Sequence, residues 1–309
     1  MKCPTLSPDD TVQADSLWLQ MMPWAFVVIW STGFIIAKYA MPHAEPMTFM
    51  FVRCAGVVLC MAPVVLLARV PLPHARGRTD WRAIGHLSVA GLLLQTGYIG
   101  GVWAAIRLGM PVGLSALIVG IQPILTAVFA SATGERVAPR QWGGLLLGMA
   151  GVALVVSNKL DVAGVTLVSL ALCVMALLSI TIGTIYQKRF CPVFDLRMGS
   201  LIQFAAAGLA CLPFMFLFET REIEWAPELI GALLWAVLTM SIGAMSLLFL
   251  LIRRGAATSV SALMYLTPPT TALMAWALFG ESFKPPAMVG MVLAAAGVAL
   301  VIRKPSRDV

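Results

Sequence analysis

The stretch "AGVALVV" occupies Ala150–Val156, and "AGVALVI" occupies Ala296–Ile302, 146 residues later in a chain of 309. A segment that recurs near the end of each half predicts a duplicated architecture. At the same offset, and without a gap, Gly85 meets Gly231, Gly97 meets Gly243 and Arg107 meets Arg253. Ser115-Ala116-Leu117 meets Ser261-Ala262-Leu263, Pro123 meets Pro269, Gly134-Glu135 meets Gly280-Glu281, and Pro139 and Gly144 meet Pro285 and Gly290. Nearer the start the offset becomes 150, pairing Gly33 with Gly183, Lys38 with Lys188 and Pro42 with Pro192. Apolar letters recur by chance, but paired Gly, Pro, Glu and Arg in register do not.

Composition sets the class. The chain is 60% hydrophobic and 11% charged, with mean hydropathy +0.91. Soluble domains carry about 25% charged residues. Apolar runs follow one another, each long enough for a bilayer core of about 30 Å. They predict ten spans: 21–40, 47–68, 84–105, 112–133, 141–157, 164–187, 196–218, 229–252, 256–279 and 286–302. Backbone groups in lipid must bond within their own segment, which requires helices. Long runs without alternation exclude an outer-membrane barrel.

Residues 1–20 contain Asp9, Asp10 and Asp15 and read as a disordered cytoplasmic tail rather than a signal peptide. Domains follow as a first repeat at 21–157, a second at 164–302 and a cytoplasmic tail at 303–309. The net charge of +7 does not point to nucleic acid. Arg69, Arg76, Arg78, Arg82, Arg136, Arg140, Lys188, Arg189, Arg253 and Arg254 fall on one side, while Glu219, Glu222, Glu224 and Glu228 fall on the other. That asymmetry places both termini in the cytoplasm of a cell-membrane protein. The six cysteines show no CxxC spacing and read as free thiols, with no metal site and no cofactor.

Five spans per half make the second copy enter the membrane from the opposite side. The expected fold is all-α integral membrane, with ten transmembrane helices as two inverted five-helix repeats around a central cavity. The chain from about Met21 to Ile302 resembles the drug/metabolite transporter superfamily in its ten-span EamA-type branch. The residues that carry the resemblance are Trp30-Ser31-Thr32-Gly33-Phe34 with Lys38, Arg53, Pro123 and Pro269, and the two Gly-Glu pairs. The resemblance implies a basket whose cavity is lined by spans 1, 3, 4, 6, 8 and 9. It also implies export or exchange of amino acids, metabolites or drugs.

Polar groups inside spans need a reason to be there. Ser115, Gln122 and Thr126 share one face of span 4, and Thr258, Ser261, Tyr265 and Pro268 share one face of span 9. Gln95 and Tyr98 mark a third face, in span 3. Interhelical hydrogen bonding would account for such stripes, but their coincidence with the cavity spans makes them candidate substrate contacts. Trp30 offers a stacking wall for an organic solute. Arg53 is either an anion contact or a chain that snorkels to the headgroups, the reading preferred for Lys38. Pro123 and Pro269 are expected to kink their helices and act as hinges. Gly144, Gly148 and Gly151, with Gly290, Ala294 and Gly297, form small-residue faces for helix packing, or for a homodimer contact.

The expected function is a secondary transporter, read as an exporter, of small organic metabolites such as amino acids or drug-like compounds. Its partners are a small-molecule substrate and the lipid bilayer. A sugar-phosphate or nucleotide-sugar exchanger is the alternative within the class; it would want more deep cations than Arg53 and Lys38. An intramembrane enzyme is disfavoured, because no Asp or Glu lies mid-span and His43, His74 and His86 lie in loops or at a span edge.

Overall fold

In a computed structural model the chain is described over residues 8–75, 78–110, 112–132, 137–157, 165–254, 261–279 and 285–302, with side chains from residue 21 onward. The two Gly-Glu pairs, Thr258, the 303–309 tail and the side chain of Lys38 lie outside the described residues. Helix α1 runs Pro8–Ala40. The disordered tail expected over 1–20 is therefore helical from Pro8.

α2 is Pro46–Leu67, and a short hairpin of β1 (His74–Ala75) and β2 (Arg78–Thr79) leads to α3, Trp81–Arg107. α4 (Val112–Val119) and α5 (Gln122–Ala132) together cover the fourth expected span, and α6 is Pro139–Ser157. In the second half α7 is Leu167–Phe190, α8 Leu196–Phe218 and α9 Pro227–Arg253. A 3-10 turn at Leu263–Leu266 opens α10 (Thr267–Phe279), and α11 is Pro285–Ile302. Asp80, Thr166 and Asp195 cap α3, α7 and α8 by accepting first-turn amide protons. Among the described residues, α2, α3, α7, α8 and α9 are long and apolar enough to cross a membrane, and Met21–Gly33 and Pro285–Val301 are shorter apolar helices.

The repeated heptapeptides lie on helices that pack against each other, α6 on α11. A Cβ placed on Gly144 would lie 2.7 Å from the Gly297 carbonyl oxygen, and one on Gly290 would lie 2.6 Å from that of Gly151. Numbers rise along one helix as they fall along the other, so these equivalent helices run antiparallel. The small-residue faces are consumed inside the chain and cannot also serve a homodimer. α2 and α8, also equivalent, pair antiparallel as well: Glu219, just beyond the end of α8, accepts from the Met47 and Thr48 amides at the start of α2, both at 2.7 Å.

The remaining contacts between halves come in matched pairs. α3 packs on α7 as α9 packs on α1, and α3 on α8 as α9 on α2. Gly183 receives Leu94 of α3, whose side chain would lie 2.8 Å from an added Cβ. Gly33 receives Met240 of α9 at the same 2.8 Å. Leu94 and Met240 are repeat equivalents, as are Gly183 and Gly33, so one joint is built twice.

α3 and α9 each contain nine residues of π-helix, Leu92–Gly100 and Ala236–Ala244. At the 146-residue offset the two segments overlap almost completely. Such segments are rare and often occur at functional sites. The prolines behave differently from expectation. Span 4 is interrupted at Gly120–Ile121, and Pro123 is the second residue of α5. Span 9 tightens to 3-10 at Leu263–Leu266, and Pro269 is the third residue of α10. In a first turn the missing N–H is no loss, so span 4 breaks and span 9 tightens just ahead of the proline.

Candidate functional site

Polar and aromatic side chains gather where the π segments and the broken spans meet α1. Trp30 of α1 stacks on Tyr98 of the first π segment, centroids 6.5 Å apart and planes within 5°. Phe26 packs against Trp30 with centroids 5.2 Å apart and planes tilted by 39°. Gln122, at the start of α5, donates through Nε2 to Ser261 Oγ at 2.9 Å and to Thr126 Oγ1 at 3.3 Å. Ser261 Oγ in turn donates to Thr126 Oγ1 at 3.3 Å. The polar stripes of spans 4 and 9 therefore touch, one from each half. Ser31 of α1 adds a joint to α10: its hydroxyl reaches the Thr267 carbonyl at 3.4 Å, and Thr271 donates to its carbonyl at 3.1 Å.

Other candidates lie apart from this group. Ser115 contacts Cys173 of α7 at 3.4 Å. Tyr265 is fully buried with its ring against Gly148 of α6, and its hydroxyl has no partner. Gln95 is fully buried with both amide atoms unpartnered. Buried polar atoms without partners cost about 1–3 kcal/mol each and need an explanation.

Arg53 does not snorkel. It is 3% exposed, and its Nε donates to Ser241 Oγ of the second π segment at 2.7 Å. Its guanidinium carbon lies 5.9 Å from the Phe204 ring centroid on α8. A short path to the headgroups is what snorkelling needs; packing of α2 against α8 and α9 closes that path. Ser241 went unnoticed in the sequence, although the repeat would have found it: it is the equivalent of Gln95.

On one face, a clasp joins the α1–α2 turn to the α8–α9 connection. Ala44 bridges Ile223, Glu224 N donates to the His43 carbonyl at 2.9 Å, and His43 Nδ1 lies 3.0 Å from Glu224 Oε2. The Glu45 carboxylate accepts from Thr220 N at 2.6 Å, Thr220 Oγ1 at 2.9 Å and Arg221 N at 3.3 Å. Converging amides of this kind form an anion nest, with Arg221 held at φ 65°. Glu219 closes the clasp from the other side, accepting from Thr48 Oγ1 at 2.7 Å.

Burial pushes the Glu45 carboxyl up, but the bonds from Thr220 and Arg221 and the charge of Arg107 outweigh it, so its pKa lies below the ordinary 4.5. A depressed carboxylate stabilises the fold above its unfolded value, and that contribution is lost as pH falls through the folded one. Glu45→Gln is therefore expected to unfold at a lower temperature than wild type near neutral pH. The difference should shrink as pH drops below 4.5. Thermal unfolding in detergent across that range checks this; a difference independent of pH would show that the charge of Glu45 does not hold the clasp.

These features define a multi-pass helical membrane protein in two structurally equivalent halves, with a polar and aromatic centre and no catalytic constellation among the described residues. The model of the EamA-like transporter family matches residues 19–157 and 167–303, and the chain belongs to that family of membrane transporters. It is 24% identical over 284 residues to a Salmonella typhimurium protein described as a "Probable amino-acid metabolite efflux pump", covering 88% of this chain and 90% of that one. It is 23% identical to the "Uncharacterized inner membrane transporter YedA" of Escherichia coli K12, covering 84% and 82%. A crystal structure superposes with a TM-score of 0.75 at 18% identity, over 91% of this chain and 96% of the other, which speaks for the fold alone.

Proposed function

We propose that this chain is a secondary transporter that exports small organic metabolites, amino acids or drug-like compounds, across the cell membrane by alternating access. The observation that carries the reading is the reciprocal joint of Leu94 on Gly183 and Met240 on Gly33, together with the antiparallel run of equivalent helices. Two halves related by an axis in the membrane plane can exchange conformations, which opens a central site to either side in turn. The ten-span count and the central cavity belong to the same reading, with Trp30, Gln95, Tyr98, Gln122, Ser261 and Arg53 as substrate contacts. The irregular turns just ahead of Pro123 and Pro269 are the hinges, and the Glu45–Glu219 clasp is the contact that must part on its face. The name of the Salmonella relative favours amino-acid metabolites within the class.

The test is solute flux in proteoliposomes holding the purified protein, with labelled neutral amino acids beside a lipophilic cationic dye. Saturable, protein-dependent flux of either is expected. Rates equal to those of empty vesicles for every solute would remove the transporter reading. The orientation has its own test, in a cysteine-depleted background. A single cysteine at Glu222 should react with an impermeant thiol reagent in intact cells, and one at Arg78 should not. The reverse pattern would invert the topology.

A further inference from the structure

Arg53 is a fixed positive charge well inside the bundle. It is the eighth residue of α2, about 10 Å along the helix from its start. The carboxylates at the start of α2 and the end of α8, Glu45 and Glu219, are engaged in the clasp and bond elsewhere. Among the described residues no acidic side chain pairs with Arg53. Its neighbours are Ser241, the Phe204 ring, Met50 Sδ at 3.6 Å, and the thiols Cys54 and Cys211.

Guanidinium carries five N–H donors in a planar fork. Only Nε has a strong acceptor here; Nη1 meets a thioether and Nη2 has no hydrogen-bond partner among the described residues. Ser241 spends its own proton on the Ala236 carbonyl at 2.6 Å, so its lone pair is turned to Nε and the fork is held in one orientation. The edge without a strong acceptor, Nη1 with Nη2, can meet a carboxylate bidentately. The equivalent place in the other half, by helix starts 150 residues apart, holds the neutral Gln203, which is buried and donates to Gln187 at 3.4 Å. The charge therefore belongs to one half alone and is not demanded by the architecture.

From this geometry we infer that Arg53 is the anion-recognition point of the transport site, and that it takes a small carboxylate whose apolar body lies along Phe204. This rests on the transporter reading for its purpose, although binding can be measured without transport. No acidic side chain lies mid-span to receive an ammonium, so the site reads the carboxylate alone. Monocarboxylates without an amino group should then bind as well as zwitterionic amino acids.

The experiment uses acetate as the probe on purified full-length protein, with acetamide and methylammonium as neutral and cationic mimics at matched ionic strength. Acetate should raise the unfolding midpoint saturably, while the two mimics do not. Arg53→Gln should abolish the acetate response, and Arg53→Lys should keep a weaker one. Arg53→Gln is also expected to unfold without ligand no earlier than wild type, since it removes an uncompensated charge. An acetate response no larger than that of acetamide, or one unchanged in Arg53→Gln, overturns the assignment. If Arg53→Gln does not fold, an undiminished response in Arg53→Lys overturns it too, because the compact ammonium cannot reproduce the fork. Binding without flux in proteoliposomes would leave the anion site standing and remove only the transporter reading.

Discussion

Replacing Gly151 by leucine is expected to lower stability by on the order of 3 kcal/mol, at the upper end for overpacking, or to prevent folding altogether. A Cβ here would lie 2.6 Å from the Gly290 carbonyl oxygen and closer still to the Ala294 amide nitrogen. Those are backbone atoms of α11, so no rotamer change relieves the overlap and the two helices must separate. Between membrane helices the attraction is mostly close packing, which falls off as backbones part. Gly143 is the control, because a Cβ there meets nothing within 4 Å. Gly143→Ala should be neutral, or stabilising by up to about 1 kcal/mol through backbone entropy. Thermal unfolding of both variants in detergent decides the matter. Equal midpoints would mean that the α6–α11 contact does not hold the halves together.

The second large effect concerns transport. Gln122→Ala removes the shorter of the two bonds that join α5 to Ser261 across the two halves, while leaving Ser261 bonded to Thr126. Losing a buried amide that recognises a substrate costs about 1–3 kcal/mol, so flux should fall roughly tenfold to a hundredfold. Tyr98→Ala removes the face that stacks on Trp30, with an expected loss of similar size. Val128→Ala, at a position 46% exposed, should change little. Flux per folded molecule, measured beside the unfolding midpoint, separates recognition from support. Variants that lose stability but keep wild-type flux would make these side chains helix-packing contacts.

Other features invite a narrower reading. Tyr265 shared a sequence stripe with Ser261, yet its ring fills the α6 seam at Gly148. In that place it holds the helix that carries Ser261. Ser115 likewise faces Cys173 rather than the Gln122 cluster. A stripe on one helix fixes which residues share a face; which neighbour that face meets can change along its length, particularly where the span breaks at Gly120–Ile121.

The sequence by itself determined the class, the duplication and most helix positions. Those properties are written in composition and in residue spacing. Twenty apolar residues have one stable form in lipid, and paired glycines and prolines survive as a register that can be counted. It also paired Gly33 with Gly183, and that pairing is physically meaningful because the two glycines receive repeat-equivalent residues, Met240 and Leu94, of the π segments. Tertiary structure alone decided the π segments, since a period of 3.6 and one slightly longer cannot be told apart over nine residues. It decided that the glycine faces of α6 and α11 meet each other, because a small-residue stripe does not name its partner. It also decided that Arg53 points inward: snorkelling and burial differ only in what surrounds the helix, and α8 and α9, which arrive from the other half of the chain, close the outward path.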